Sequence, residues 1–237
     1  MSKKFAVFDI DGTLLRWQLY HGAVNTLAKR GLLGESAFEE LQKIRMSWKN
    51  REHPEAFKEY ERYMVRLYDA VVVGVPVEEF ERAARETVAE HKQQVYTYTR
   101  DLIRSLKKDG YFLLTISGSH KEMVEELAEF YGFDDFVGST YVVKDGVFTG
   151  EKEIVAEDKA KHLRSMIAKH DLILENSVAV GDTAGDIPML EMVERPIAFN
   201  PEKKLFDTAR ERGWDIVVER KNVIYELTKR GDSYVLK

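Results

Sequence analysis

The chain has 237 residues, of which 44% are hydrophobic and 32% charged, and its formal net charge is −5 at pH 7. This length allows one large domain or two unequal ones, and the composition is typical of a globular protein. The negative net charge gives no support for a nucleic-acid-binding or anionic-membrane-binding surface. The lack of cysteine excludes disulfides, thiolate nucleophiles and cysteine-ligated zinc sites.

The N-terminus reads Met-Ser-Lys-Lys and leads directly into a strand-like run. It lacks the apolar stretch and small-residue cleavage site of a signal peptide, and no segment reaches about 18 consecutive apolar residues. We therefore expect a cytoplasmic protein that does not span a membrane.

The first predicted strand, residues 5–8, ends in two carboxylates, Asp9 and Asp11, followed by Gly12 and Thr13. Residues i and i+2 of a strand point to the same side, so the two carboxylates can converge where the strand ends. Two close carboxylates repel each other and need a cation. We interpret this pattern as a catalytic motif rather than a polar turn that caps the strand.

Residues 15–95 contain long stretches of helix-forming residues with periodic apolar positions, interrupted by glycine and proline. This pattern predicts a helical insertion of roughly four helices that separates the first strand from the rest of the sheet. The predicted division is therefore an α/β catalytic core of residues 1–14 and 96–237 and a helical cap of residues 15–95.

From residue 97 onward, short and nearly continuous apolar runs alternate with helical segments, which favours parallel strands buried on both faces. The fold class is therefore α/β, with a doubly wound, Rossmann-like parallel sheet and the helical cap inserted after its first strand. The predicted strands are 111–116, 177–180, 196–199 and 214–218, with a hairpin at 141–149, and the predicted helices are 97–109, 120–131, 158–169, 186–193 and 202–212.

Several helix boundaries have local causes. Residues 119–122 fit a capping box, in which the Ser119 side chain would cap the following helix. Gly110, Gly132 and Gly213 stand where helices should end. The six histidines show no clustering typical of metal ligands, so we expect them at surface or cap positions.

Polar residues follow the carboxyl ends of several predicted strands, where open α/β sheets bind ligands. Asp9, Ser117 and Asp182 each occupy such a position. Residues 181–186 form a tight loop with two carboxylates, and residues 117–119 offer a hydroxyl and backbone amides at a helix start, where an anion is favoured. The sequence thus predicts one site assembled from distant segments.

Four of these segments, in chain order, resemble the four motifs of the haloacid dehalogenase-like phosphatases. They are Asp9-x-Asp11-Gly12-Thr13, Ser117, Lys159 at a helix start, and Gly181-Asp182-Thr183-Ala184-Gly185-Asp186. The insertion resembles the helical cap of the first cap type in that superfamily. The stretches 159–163 and 196–201 further resemble the branch that contains the phosphoserine phosphatases.

The resemblance implies a mechanism for the acidic residues. Asp9 would attack phosphorus and form an aspartyl-phosphate, and Asp11 would protonate the leaving alkoxide and later deprotonate the attacking water. Mg²⁺ would be held by Asp9, the backbone carbonyl of Asp11 and Asp182, with Asp186 bound to the ion directly or lying just behind its ligands.

The resemblance also implies the residues that bind phosphate. Ser117 and the amide of Gly118 would hold phosphoryl oxygens, and Lys159 would neutralise the phosphate and keep Asp9 ionised. The implied activity is that of a Mg²⁺-dependent phosphomonoester phosphatase acting on a small phosphorylated metabolite.

Two positions depart from the phosphoserine phosphatases, which carry a glutamate where this chain has Gln18 and an asparagine where it has Gly185. A neutral amide cannot offer the same charge partner to the ammonium group of serine, so both departures argue against phosphoserine. The candidates for substrate recognition are Arg16, Trp17, Gln18 and Tyr20, and the alternative is that these residues only pack the hinge of the cap.

Other functions remain open. The same residues would serve a phosphotransferase that passes the phosphoryl group to an alcohol acceptor, and phosphoserine remains a substrate candidate despite Gln18 and Gly185. A phospho-acceptor module without turnover would also carry acidic residues at strand ends. Asp11 and the large cap argue against that last alternative, because a stable acyl-phosphate needs neither a general acid nor a lid.

Overall fold

The computed structural model describes residues 3–31, 35–53 and 55–237, together with their side chains except those of residues 35–38. Contacts divide the chain into two units. We call them the sheet unit, made of Met1–Trp17, Lys92–Ser139 and Ile154–Lys237, and the helical unit, made of Gln18–His91 and Thr140–Glu153. Within the described ranges, each helix is too short or too polar to cross a bilayer.

The elements follow one another in the order expected for an inserted α/β domain. The strands are β1 (Lys3–Phe8), β2 (Phe112–His120), β3 (Asp135–Lys144), β4 (Val147–Glu153), β5 (Leu172–Gly181), β6 (Arg195–Phe199), β7 (Asp215–Arg220), β8 (Val223–Arg230) and β9 (Ser233–Leu236). The helices are α1 (Leu19–Lys29), α2 (Glu35–Asn50), α3 (Ala56–Val72), α4 (Val77–His91), α5 (Thr97–Lys108), α6 (Lys121–Tyr131), α7 (Lys159–His170), α8 (Ile187–Leu190) and α9 (Lys203–Arg212).

The sheet unit is built on parallel strands in the order β3-β2-β1-β5-β6-β7, to which β3 contributes Asp135–Ser139. The strand order reverses between β1 and β5, which is where doubly wound sheets form a ligand crevice. The predicted α/β class with a parallel sheet is therefore confirmed.

Beyond β7 the sheet continues antiparallel through β8 and β9, a hairpin that the sequence analysis did not predict. Its residues are exposed or half-buried, and they lack the continuous apolar run that identifies a buried parallel strand. The sequence pattern therefore gave little indication that these residues form strands.

The core of the sheet unit forms where the strands meet the helices of one face. Phe5, Leu114, Ala179 and Ala198 from neighbouring strands pack in one cluster with Leu163, Met166, Leu205 and Ala209 from α7 and α9. Burying each large side chain contributes about 1.5–3 kcal/mol, which fixes the strand ends that carry the polar residues described below.

The glycine stop signals agree with the structure. Gly132 and Gly213 adopt left-handed conformations, with φ of 70° and 73°, at the ends of α6 and α9. The predicted capping box at residues 119–122 is wrong, because α6 begins at Lys121 with His120 at the N-cap and no side-chain cap. The Ser119 hydroxyl instead donates to the carboxylate of Asp11, which lies 108 residues earlier in the sequence.

The helical unit contains α1 to α4 and also the hairpin formed by the second half of β3 and β4. The sequence analysis placed residues 140–153 with the core, and the contacts differ at this point. The Tyr141 hydroxyl donates to Asp69 of α3 at 3.0 Å, and the Phe80 and Phe148 rings meet edge to face at 5.2 Å. Aromatic packing therefore joins the hairpin to these helices.

His21 is buried, contrary to the expectation from sequence, because it lies inside an aromatic cluster. His120 is buried too, but it stands at the N-cap of α6, a cap position as expected. His21 is 2% exposed, with the Tyr20 and Tyr60 rings 4.7 and 5.0 Å from its own ring. Burial, with a smaller contribution from Arg45, lowers the pKa of His21 to about 3. Burial lowers the pKa of His120 to about 3 as well.

Candidate active site

Asp9 lies directly after β1, and its amide donates to the Val180 carbonyl of β5 at 3.0 Å. The chain then turns back, and amides of the next turn donate to the Ile10 carbonyl. Gly12 within this turn has a φ of +87°, and a Cβ built there would lie 2.2 Å from Asp182 Oδ2. The turn therefore requires a residue without a side chain, both for its backbone conformation and for the close approach of Asp182.

Lys159 places a buried ammonium group between two carboxylates. Its Nζ lies 2.5 Å from Asp9 Oδ1 and 2.6 Å from Asp186 Oδ1, and the side chain is 5% exposed. Lys159 is the first residue of α7, whose N-terminus is fixed by Asp158, because the Asp158 carboxylate accepts the amide of Lys161. The structure thus brings together three residues that the sequence analysis assigned to one site.

The second oxygen of Asp186 holds the loop that follows β5. It accepts the amides of Asp182 and Thr183, at 3.1 and 2.9 Å, and the Thr183 hydroxyl at 3.1 Å. Glu202 supports the same loop from outside, since its amide donates to the Asp182 carbonyl and its carboxylate accepts the Ala184 amide. The position of Asp182 is therefore determined by hydrogen bonds on both sides.

The carboxylates of Asp9, Asp182 and Asp186 form a cluster that fits a divalent cation. One oxygen from each lies within 4.8 Å of the others, and the Thr13 hydroxyl donates to Asp182 Oδ1 at 3.2 Å. Three carboxylates face a single ammonium group, which leaves an excess of negative charge. Hard oxygen donors of this kind are the ligands that Mg²⁺ prefers.

The pKa values of the cluster reflect burial first and the neighbouring charges second. Burial raises the pKa of Asp9 to about 7, with smaller contributions from Asp186 and Asp11, against the opposing effect of Lys159. Burial, followed by the charges of Asp9 and Asp186, raises the pKa of Asp182 well above its ordinary value. Burial alone would lower the pKa of Lys159, but the two neighbouring carboxylates outweigh it and raise that pKa.

Asp11 lies beside the loop that ends β2. Its Oδ2 accepts the hydroxyls of Ser117 and Ser119, at 3.0 and 2.7 Å. The Ser119 amide donates to Ser117 Oγ at 3.0 Å, and the Gly118 carbonyl accepts the Ser139 hydroxyl at 2.7 Å. The predicted acid and the predicted phosphate-binding loop are therefore adjacent and joined by hydrogen bonds.

Arg16, a predicted recognition residue, is engaged within the sheet unit. Its guanidinium donates to Glu219 at 2.8 Å and lies 5.4 Å from the centre of the Tyr96 ring. The Glu219 carboxylate also accepts the amides of Thr97 and Tyr98 at the start of α5. Arg16 therefore contributes to an ion pair that anchors the N-terminus of that helix.

The other predicted recognition residues lie around the start of α1. The Gln18 side-chain amide donates to Glu61 at 2.5 Å, and its carbonyl oxygen is buried without a hydrogen-bond partner among the described residues. The Tyr20 ring packs against His21, and Trp17 is half-buried.

Four supporting residues were not assigned to the site from the sequence. Thr13 belongs to the first motif, which gives it no role of its own, and Ser119 has the sequence pattern of a helix cap. Ser139 and Glu202 act through backbone groups of other segments, at sequence separations of 21 and 18 residues. Of these four residues, only Ser119 could have been assigned to the site from the sequence, because its hydroxyl stands two residues after Ser117.

Comparison with known proteins finds similarity over most of the chain. The model of the haloacid dehalogenase-like hydrolase family matches residues 6–191. The chain is 32% identical over 212 residues to a phosphoserine phosphatase of Archaeoglobus fulgidus, covering 88% of this chain and 56% of that protein. It is 25% identical over 223 residues to a histidinol-phosphatase of Neisseria meningitidis, covering 91% of this chain and 98% of that protein. The chain thus spans about half the length of the archaeal relative.

The fold is also similar to solved structures. One is described as a phospho-aspartyl intermediate analogue of phosphoserine phosphatase. It has a TM-score of 0.62 and 24% sequence identity, and the similarity covers 93% of this chain and 95% of that one. At this identity the likeness supports the fold alone.

Proposed function

The chain belongs to the haloacid dehalogenase-like hydrolase family, and on this premise we propose that it is a Mg²⁺-dependent phosphomonoester phosphatase. Its substrate would be a small phosphorylated metabolite of the cytoplasm, and its nucleophile would be Asp9. The observation that carries the proposal is the position of Asp9, which lies against the Lys159 ammonium group at the switch point of the sheet and within a cluster of carboxylates.

The first half of the reaction is phosphoryl transfer to the protein. An Asp9 carboxylate oxygen attacks phosphorus, the bond from phosphorus to the leaving oxygen breaks, and Asp11 gives its proton to the departing alkoxide. Ser117 and the Gly118 amide hold phosphoryl oxygens, and Lys159 balances the negative charge that gathers beside Asp9.

The second half regenerates the carboxylate of Asp9. Water attacks phosphorus of the aspartyl-phosphate and loses a proton to Asp11, and inorganic phosphate leaves. Asp11 therefore returns to its protonated form for the next substrate molecule. Its position beside the phosphate-binding loop supports both proton transfers.

Asp9, Asp182 and the backbone carbonyl of Asp11 would hold Mg²⁺. Asp186, which already binds Lys159 and the loop amides, would orient Asp182 or bind the ion itself. When bound, Mg²⁺ would neutralise the repulsion between the carboxylates and the phosphate and would favour the ionised form of Asp9.

For the leaving group we keep Trp17, Gln18 and Tyr20 as recognition candidates. The relatives' names include two amine-bearing phosphate esters, phosphoserine and histidinol phosphate. Gln18 takes the place of a glutamate in the phosphoserine phosphatases, and its amide is bound to the Glu61 carboxylate. Phosphoserine, histidinol phosphate and glycerol 2-phosphate therefore form the first substrate panel, with an added alcohol acceptor to detect phosphotransfer.

The deciding experiment measures hydrolysis of p-nitrophenyl phosphate by the purified protein with Mg²⁺, with chelator, and after Asp9→Asn. We expect metal-dependent turnover that falls below detection in Asp9→Asn, because a neutral amide cannot act as the nucleophile. Asp232→Asn, an exposed change in the turn between β8 and β9, should leave turnover unaltered. Full activity in Asp9→Asn would refute the mechanism, and incorporation of one phosphate without turnover would revive the phospho-acceptor alternative.

A further inference from the structure

The Ser119 hydroxyl, like that of Ser117, is directed at the carboxyl group of Asp11. Its Oγ lies 2.7 Å from Asp11 Oδ2, which is closer than the 3.0 Å of Ser117, although the two partners are 108 residues apart in the sequence. The Ser119 side chain is buried, so water does not readily replace this bond. A buried hydroxyl that donates to a carboxyl oxygen makes a directional hydrogen bond, which restricts the rotation of the carboxyl group.

The direction of both hydroxyl protons follows from the other bonds of the loop. Ser117 Oγ accepts the Ser119 amide, so its own proton is available for Asp11. Ser119 Oγ likewise donates its proton to Asp11 Oδ2. Because Oδ2 already accepts two hydroxyl protons, Oδ1 is the oxygen with which Asp11 would exchange a proton during the reaction.

The backbone of this loop is fixed independently of Asp11. The Ser139 hydroxyl donates to the Gly118 carbonyl at 2.7 Å and accepts the Val155 amide at 3.2 Å. The peptide group between Gly118 and Ser119 is therefore held at its carbonyl by Ser139 and at its amide by Ser117. Ser119 Oγ consequently projects from a rigid support rather than from a mobile turn.

We propose that Ser119 is a positioning residue for proton transfer, which fixes the plane of the Asp11 carboxyl group by binding Oδ2 and so directs proton exchange to Oδ1. This inference rests on the proposed phosphatase function and deepens it. When the phosphorus–oxygen bond of the substrate breaks, the Oδ1–H bond of Asp11 breaks as well and its proton joins the leaving oxygen. Ser119 keeps its own proton throughout and acts only through Asp11.

The proposal predicts an effect that depends on the leaving group. An alkoxide leaves poorly without a proton, whereas p-nitrophenolate is stable as an anion. Loss of the Ser119 hydroxyl should therefore reduce kcat/KM for glycerol 2-phosphate much more than kcat/KM for p-nitrophenyl phosphate. A merely structural role would reduce both values by the same factor, because the nucleophile and the phosphate site are shared by the two substrates.

The experiment compares kcat/KM for these two substrates in the wild type, Ser119→Ala, Ser119→Thr and Ser139→Ala. We expect the ratio of the p-nitrophenyl phosphate value to the glycerol 2-phosphate value to rise about tenfold in Ser119→Ala. Ser119→Thr restores a hydroxyl and should return the ratio close to that of the wild type. Ser139→Ala disturbs the same loop without touching Asp11 and should leave the ratio unchanged, whatever its effect on rate.

Thermal unfolding measures whether each variant is folded. The ratio of the two kcat/KM values is a second control, because it does not depend on the amount of folded enzyme. An unchanged ratio in Ser119→Ala overturns the inference, as does an equal rise of the ratio in Ser139→Ala. A wild-type protein that hydrolyses neither substrate overturns the proposed function and the inference with it. Failure of the inference alone is therefore distinguishable from failure of the proposed function.

Discussion

Asp186 binds Lys159 through one carboxylate oxygen, at 2.6 Å, and the loop that carries Asp182 through the other. One buried carboxylate thus connects the ammonium group beside Asp9 with the backbone of the loop that carries Asp182. Neither connection depends on solvent-exposed groups, since the side chains of Lys159 and Asp186 are 5% and 0% exposed. Removing either partner should therefore disturb folding and catalysis together.

Replacing Lys159 by methionine should show this dependence most clearly. The change leaves Asp9 and Asp186 buried without their cation, and breaking a buried ion pair costs about 3–5 kcal/mol. We expect a loss of this size in the free energy of unfolding, measured by urea denaturation in chelator, and a loss of at least about 100-fold in kcat. The control Lys161→Met changes an exposed lysine on the same helix and should remain within about 0.5 kcal/mol of the wild type. Equal stabilities for the two variants would contradict the expectation.

Replacing Gly12 by alanine tests the close approach of the first turn to Asp182. The new Cβ would lie 2.2 Å from Asp182 Oδ2, in a backbone conformation that also strains alanine. Gly110→Ala is the matched control, since its φ of +77° imposes similar strain and nothing lies within 4 Å of its Cβ. We expect a loss of about 1 kcal/mol in Gly110→Ala with unchanged kcat. Gly12→Ala should lose more stability and should also lose activity, and a Gly12→Ala enzyme with wild-type kcat would exclude the proposed role of that contact.

The burial of His21 gives a prediction for the pH dependence of stability. Burial lowers the pKa of His21 to about 3 in the folded state, against about 6.5 in an unfolded chain. Between these values the unfolded state binds the additional proton, so the stabilising contribution is present above pH 6.5 and falls as the pH is lowered toward 3. The slope approaches about 1.4 kcal/mol per pH unit below pH 6 for this one group.

His21→Phe removes that titration and keeps a ring in the aromatic cluster. Urea denaturation between pH 4.5 and 7.5 should therefore give a free energy of unfolding that depends less steeply on pH in the variant. The difference in slope should correspond to about one proton fewer taken up on unfolding than in the wild type. His120 is buried in the same way and contributes its own proton to the slope that remains. Parallel curves for the two proteins would show that His21 can take up a proton without unfolding.

Arg16 allows a test between recognition and support of the fold. Its guanidinium is bound to Glu219 and lies over Tyr96, so we expect Arg16→Met to lower the free energy of unfolding by about 1 kcal/mol and to leave KM unchanged for the substrate panel. Gln18→Met is the matched change at a residue that we keep as a recognition candidate, and it should change KM for the substrate panel. If KM rises tenfold or more in Arg16→Met at unchanged stability, Arg16 contacts the substrate after all.

Some parts of the fold and site could be predicted from the sequence because their signals are local. Buried parallel strands appear as continuous apolar runs, and Asp9, Ser117 and Asp182 follow those runs directly, so the topology alone brings them to one edge. Glycine at the ends of α6 and α9 is likewise a local requirement of the backbone.

The parts that were missed depend on contacts between distant residues. Ser119 has the pattern of a helix cap, and only the folded loop shows that its hydroxyl reaches Asp11. The sequence predicts a hairpin at 141–149, but the grouping of residues 140–153 with α3 and α4 depends on aromatic contacts that no local pattern encodes. The burial of His21 and the pairing of Arg16 with Glu219 are likewise properties of the assembled chain.

The cluster of Asp9, Asp182 and Asp186 also makes folding responsive to the ionic composition of the surroundings. These carboxylates meet within 4.8 Å only in the native state, because the unfolded chain separates them widely. A divalent cation would therefore bind the native state almost exclusively and stabilise it by about 1.4 kcal/mol for each tenfold rise in concentration above its dissociation constant. A cell that depletes its free divalent cations, for example by accumulating chelating polyanions, would lower the population of native protein and not only its rate of turnover.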